Sequence, residues 1–468
     1  MVIYTLGARF IYLPDKLAKL MYKMPALILL LIMNWRPAGG QSLEPIDSIY
    51  LNALPRFSKN IAAITSHVWP GMTIGPYAIF RIGGPVFLKN HPMPPASAKP
   101  LKDGVYEFSQ SEYALLGTSQ TEINHYLTAH NNYGQPQYIS VNQFYSEVFH
   151  ELHHVYQRTV VKTVQFDNPA ELLTYPEDYR NDAMRQYEDE LLLSMLQGPS
   201  LQFQENLNRF FSCRLLRQTI IGKEYLDYEK SVESCEGPAT YCEYRYMKSF
   251  ANTPQEQQYI QKRFFEMLIE PAYGRDGLRN KRLLSGMVQC LLLDQKFKNW
   301  QPEYYRSGLT LNDFFFSKFK PWHVELPDRA VYLAKAKYFT AIEKNKHSIN
   351  LESFNSQGGL KITLLFKSPP EFRGFDPMHA EAVNDSLILH TTLLKLGKGA
   401  DYFTAANERT ATLVKGSIWK VRSVTFFVPH DKISLENNLL KYEGPNIQVN
   451  WHFTVETQTE NGYLVMVE

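Results

Sequence analysis

The chain of 468 residues is 44% hydrophobic and 13% aromatic, enough apolar material for two or three packed domains. Its 49 Lys and Arg nearly balance its 47 Asp and Glu, and a net charge of +2 excludes both the basic excess of a nucleic-acid binder and the acidic excess of a solvated disordered tail. Gly (25) and Pro (27) are too few for collagen-like or linker-dominated architecture, and four cysteines cannot build a disulfide scaffold.

The first predicted element is a targeting segment. Lys16, Lys19 and Lys23 precede the apolar run Pro25 to Met33 (PALILLLIM), and Ala38-Gly39-Gly40 follows it. The run is too short for a membrane-spanning helix, which needs about 20 residues. A basic region, a short apolar region and a small-residue site together read as a secretory signal peptide over 1–40. Translation from Met21 or Met24 gives a more ordinary signal length, and the mature chain is expected to start near Gln41. No other stretch is apolar enough to cross a bilayer. The expectation is an exported protein, secreted or periplasmic, with no stable membrane span after cleavage.

Residues 41 to about 140 mix short strand-like runs, such as Tyr77 to Leu88, with turn clusters; Pro92 to Pro100 (PMPPASAKP) reads as a surface loop. From about 141 to 345 the apolar period is helical, as in NQFYSEVFHELHHVYQR, NDAMRQYEDELLLSMLQ, QENLNRFFSCRLLRQTII and RLLSGMVQCLLLDQKF. Beyond about 350, strand-like runs alternate with Gly, Asn, Asp and Pro: Leu360 to Phe366, Ser386 to Leu396, Val424 to Val428 and Ile447 to Val455. The expected fold class is α+β. A mostly helical body with an N-terminal strand region covers 41–345, and a small all-β domain covers 346–468.

Export permits disulfides among Cys213, Cys235, Cys242 and Cys290. Were Cys235 and Cys242 on one helix, they would stand about 10.5 Å apart along it, beyond the roughly 7 Å reach of a bridge. That leaves 213–235 with 242–290, 213–242 with 235–290, or free thiols.

One motif carries chemistry. Residues 150–154 read H-E-x-x-H inside a segment whose Phe144, Val148, Leu152 and Val155 follow helical spacing without Pro or Gly. His150 and His154 then share one face of a helix and can converge on one ion. Glu151, about 100° around the helix, can take a proton from a metal-bound water and return it. His153 points elsewhere and reads as structural or as a support for a metal ligand, while His91, His125 and His130 read as structural.

A catalytic zinc needs a third protein ligand and an open position. Ser234 to Tyr244 (SCEGPATYCEY) resembles the N-E-G-F-A-S-Y-V-E-Y segment of the aminopeptidase N family, a branch of the gluzincins. The match lies at Glu236, Gly237, Ala239, Tyr241, Glu243 and Tyr244. The resemblance implies a zincin-like catalytic region in which Glu236 is the third zinc ligand. Three features depart from that family: 81 residues separate His154 from Glu236, a much longer interval; no G-A-M-E-N segment is present; and Pro238 replaces an apolar residue, where it should start or kink the helix. Glu233 and Glu243 compete with Glu236 for the ligand role. Glu229, on the same expected stripe, reads as a solvated position. Tyr241 and Tyr244 are candidates for an oxyanion donor or for core packing.

The residues together read as an exported zinc-dependent metallopeptidase of gluzincin type. Its ligands are His150, His154 and Glu236, its cofactor Zn2+, its general base Glu151, and its substrate a peptide or protein. The alternative is a secreted binding protein whose zinc site is structural or vestigial.

Overall fold

The computed structural model describes residues 5–6, 9–10, 43–113, 115, 117–134, 138–161, 168–275, 277–429, 433–459 and 462–467. The apolar run and the small-residue site expected as a signal peptide lie outside them.

The region expected to hold only short strands begins instead with a helix, α1 (Pro45–Val68). Tyr50, Leu54, Phe57, Ile61, Thr65 and Val68 recur every three or four residues and are all buried, the stripe that seats a helix on a core. Asp47 accepts from the Glu44 amide at 2.8 Å and closes the N-terminal cap. Six strands follow: β1 (Tyr77–Phe80), β2 (Pro85–Lys89), β3 (Lys99–Pro100), β4 (Val105–Ser109), β5 (Ser119–Ile123) and β6 (Tyr126–Asn132). They form one sheet in the order β3-β4-β2-β1-β6-β5, with β1 and β6 parallel. Among the described residues β5 is therefore an edge.

The helical body comprises α2 (Val141–Val160), α3 (Tyr179–Gln197), α4 (Phe203–Ile221), α5 (Lys223–Phe250), α6 (Pro254–Gln261), α7 (Leu278–Lys296), α8 (Trp300–Ser307), α9 (Leu311–Phe319) and α10 (Ala330–Asn355). One apolar core joins α1, the sheet and these helices through residues such as Phe57, Tyr77, Phe144, Leu152, Tyr246 and Met287. Pro238 neither starts nor breaks a helix: α5 is continuous through it.

Among the described residues, twelve strands make up the C-terminal part, from β7 (Leu360–Phe366) to the hairpin of β17 (Ile447–Thr459) and β18 (Gly462–Val467). The run Ser386 to Leu396 is two strands, 387–390 and 393–398, with a turn at Thr391 and Thr392. Alternation in β7 buries Ile362, Leu364 and Phe366 against Phe403, Phe426, Trp451 and Val465 in a second core.

The two parts of the chain are tied by charge. α10 runs past residue 345, and its His347 sits between two carboxylates, Nε2 at 2.9 Å from Glu177 and Nδ1 at 2.5 Å from Glu381. Arg275 adds a 2.9 Å bond to the Ala382 carbonyl. The bonds to Glu177 and Glu381 raise the His347 imidazole to about 9 despite partial burial. A raised histidine stabilises the fold below its unfolded pKa of about 6.5, and that contribution disappears as pH rises through about 9. His347→Gln should therefore lower the melting temperature clearly near pH 6 and much less near pH 10. Equal losses at both pH values would contradict this.

Candidate metal centre

Ser140 caps α2, its hydroxyl accepting from the Gln143 amide at 3.1 Å, and Phe144, Val148, Leu152 and Val155 anchor the helix in the core. That anchoring leaves His150 and His154, one turn apart, facing α5. Glu236 enters between them. His150 Nε2 lies 3.1 Å from His154 Nε2, and Glu236 Oε2 lies 3.3 Å from both. A tetrahedral zinc with bonds of about 2.0–2.1 Å requires donors about 3.3 Å apart, so the three atoms fit such an ion. Among the described residues, no other group of three His, Cys, Asp or Glu side chains gathers in this way.

Two of the three donors, His154 and Glu236, are oriented by a hydrogen bond to a neighbour. His154 Nδ1 lies 2.8 Å from Gln157 Oε1, which assigns Nδ1 as the N–H and leaves Nε2 as a donor to metal. Gln157 is fixed in turn by α5: its Nε2 donates to the carbonyls of Cys235 at 3.0 Å and Ser234 at 3.4 Å. The Ser234 carbonyl is the one that a non-proline residue at 238 would have engaged. The proline thus frees an acceptor where the histidine's support needs it. His150 Nδ1 stands 3.3 Å from Glu243 Oε2, close but not aligned as a hydrogen bond. Arg279, at the start of α7, donates to Glu236 Oε1 at 2.7 Å. α5 and α7 touch at their glycines, where a Cβ on Gly237 would stand 2.7 Å from the Gly286 Cα.

Glu151 lies outside the donor cluster and is buried. Its Oε2 accepts from Gln120 Nε2 on the edge strand β5. The general base expected from the motif therefore stands between the donor helix and that strand.

The remaining candidates separate cleanly. Glu229 is not solvated: it is buried and paired with Arg217, and Tyr175 donates to it. An acidic stripe also suits a face that meets arginines from other helices, and α4 and α7 supply them. Glu233 belongs to the same buried network, accepting from Arg214 at 2.5 Å and Ser285 at 2.7 Å. Glu243 reaches only the far nitrogen of His150. Of the two tyrosines, Tyr241 donates to Asp294 at 2.5 Å in the core and Tyr244 packs on Phe264 and Phe265. His153 lies 2.8 Å from the Tyr305 hydroxyl and packs edge-on to Trp69. His91, His125 and His130 are absent from the cluster. The four cysteines are free and buried, the third of the expected states.

Gln157 and Arg279 were not singled out from the sequence. A polar residue three positions after His154 was a usable signal for Gln157. Nothing marks Arg279, 43 residues from Glu236. No family model, curated protein or solved structure matches the chain.

The cluster is electrostatically poised. Burial opposes charge on His150, yet Glu236 and Glu243 raise its imidazole to about 9. His154, under the same opposition, is raised well above the ordinary range chiefly by Glu236. Burial favours a neutral Glu236, but the two histidines and Arg279 hold it well below the usual carboxylate range. A metal must displace those imidazole protons, so its affinity should climb as pH rises from the ordinary histidine range. About one bound metal ion per chain is expected by elemental analysis, with loss in His150→Ala and His154→Ala. Full retention by both variants would contradict the assignment.

Proposed function

We propose that the chain is an exported, zinc-dependent peptide-bond hydrolase of gluzincin type. The observation that carries this reading is the meeting of His150 Nε2, His154 Nε2 and Glu236 Oε2 within 3.3 Å of one another, with Glu151 buried on the same helix as the two histidines. Three protein donors are what a catalytic zinc takes when it keeps one position for water or substrate. Zinc bound there would polarise a scissile carbonyl and acidify its bound water.

The protein groups divide the remaining work. Glu151 takes the water's proton and passes it to the leaving amine, and Gln120 orients its carboxylate. Among the described residues β5 pairs only with β6, so its other edge offers backbone N–H and C=O groups. An extended peptide adding to that edge is held by main-chain bonds, which suits a peptide or protein substrate. The Gln120–Glu151 contact sets such a strand directly beside the base.

The test is Glu151→Gln. It should keep zinc and lose about 10²–10⁴-fold in turnover on a peptide library, because an amide cannot take the proton. Wild-type turnover in a zinc-loaded variant would contradict the mechanism.

A further inference from the structure

Glu236 presents its two carboxylate oxygens to different partners. Oε2 is 3.3 Å from both His150 Nε2 and His154 Nε2, and Oε1 is 2.7 Å from Arg279 Nη2. We propose that Arg279 is a positioning residue that restricts Glu236 to one oxygen at the metal and so preserves the open coordination position. The inference rests on the zinc hydrolase reading above.

Chemistry gives the restriction its value. Both oxygens of a free carboxylate can bind one ion, and zinc accepts a fifth donor. An unheld Oε1 beside a bound ion would turn onto it and occupy the place that water needs. A charge-assisted bond of 2.7 Å from a guanidinium is strong enough to compete for that oxygen. The arginine is also well placed to hold its position: it stands on the first turn of α7, and α7 is fixed against α5 by the contact of Gly237 with Gly286. Gly237 directly follows Glu236, so the same contact sets the height of both partners.

Neutralising charge is a poor account of Arg279. Zinc itself supplies two positive charges to Glu236 when bound, and a further cation beside it opposes metal binding. The two roles therefore predict opposite signs. If Arg279 merely anchors the ligand helix, its loss weakens zinc. If it withholds Oε1, its loss leaves zinc as tight or tighter and removes the open position.

The experiment compares zinc-loaded wild type, Arg279→Met and Arg279→Lys as full chains. It reads zinc affinity by competition with a chelator, donor number by X-ray absorption at the zinc edge, and kcat and KM on a peptide the wild type cleaves. Arg279→Met should bind zinc at least as tightly as wild type and show a second carboxylate oxygen in place of solvent. Its kcat should fall about 10–100-fold with KM little changed, the size of effect typical of groups that orient a metal ligand. Arg279→Lys, still able to donate to Oε1, should restore single-oxygen coordination and most of kcat. Arg279→Ala carries the same expectation if the Met variant does not fold. Zinc weakened about tenfold or more in Arg279→Met, or unchanged coordination with wild-type kcat, would overturn the inference and leave the zinc reading standing. Wild type that takes up no zinc would overturn both.

Discussion

Placing the Glu236 carboxylate between two buried imidazoles is the demand that the helical body is built to meet. An isolated buried carboxylate costs several kcal/mol, so it persists only with cationic or donor partners on every side. Here those partners come from two helices packed on α5, which carries Glu236: His150 and His154 on α2, and Arg279 on α7. The same demand repeats along α5. Glu233 and Glu229 lie one and two turns before Glu236 and are met by Arg214, Arg217 and Arg282. Glu188 and Asp189 from α3 complete the network. Removing one member of a buried set of this kind leaves its partners uncompensated, at about 3–5 kcal/mol. The ligand helix is thus held in register by charge as well as by packing.

Backbone features at one point of α5 serve the centre on two sides. Gly237 lets α7 approach closely enough for Arg279 to reach Glu236 Oε1. Pro238 releases the Ser234 carbonyl to Gln157, which orients His154. The sequence feature that departs most from the aminopeptidase N segment is therefore part of the support for a histidine on another helix.

The local parts of this arrangement were legible in the sequence, and the parts set by partners distant along the chain were not. The H-E-x-x-H helix is visible because its apolar period and lack of breakers are local, and the same holds for Leu360 to Phe366 with its strict alternation. α1 was missed although Tyr50, Leu54, Phe57 and Ile61 have helical spacing, in a segment that also carries Pro45 and Pro55. One of them opens the helix and the other is tolerated within it. Glu229 was misplaced because an acidic stripe has the same pattern whether it faces water or arginines. The role of Arg279 rests on a helix crossing that no local pattern records.

Under the proposed function, His150, His154 and Glu236 hold one zinc ion and leave a position open. Anomalous diffraction at the zinc edge from zinc-loaded crystals tests it most directly. One peak is predicted, about 2.0–2.2 Å from His150 Nε2, His154 Nε2 and Glu236 Oε2, with solvent as the remaining donor. A peak elsewhere, or a fourth protein ligand closing the ion, would contradict it.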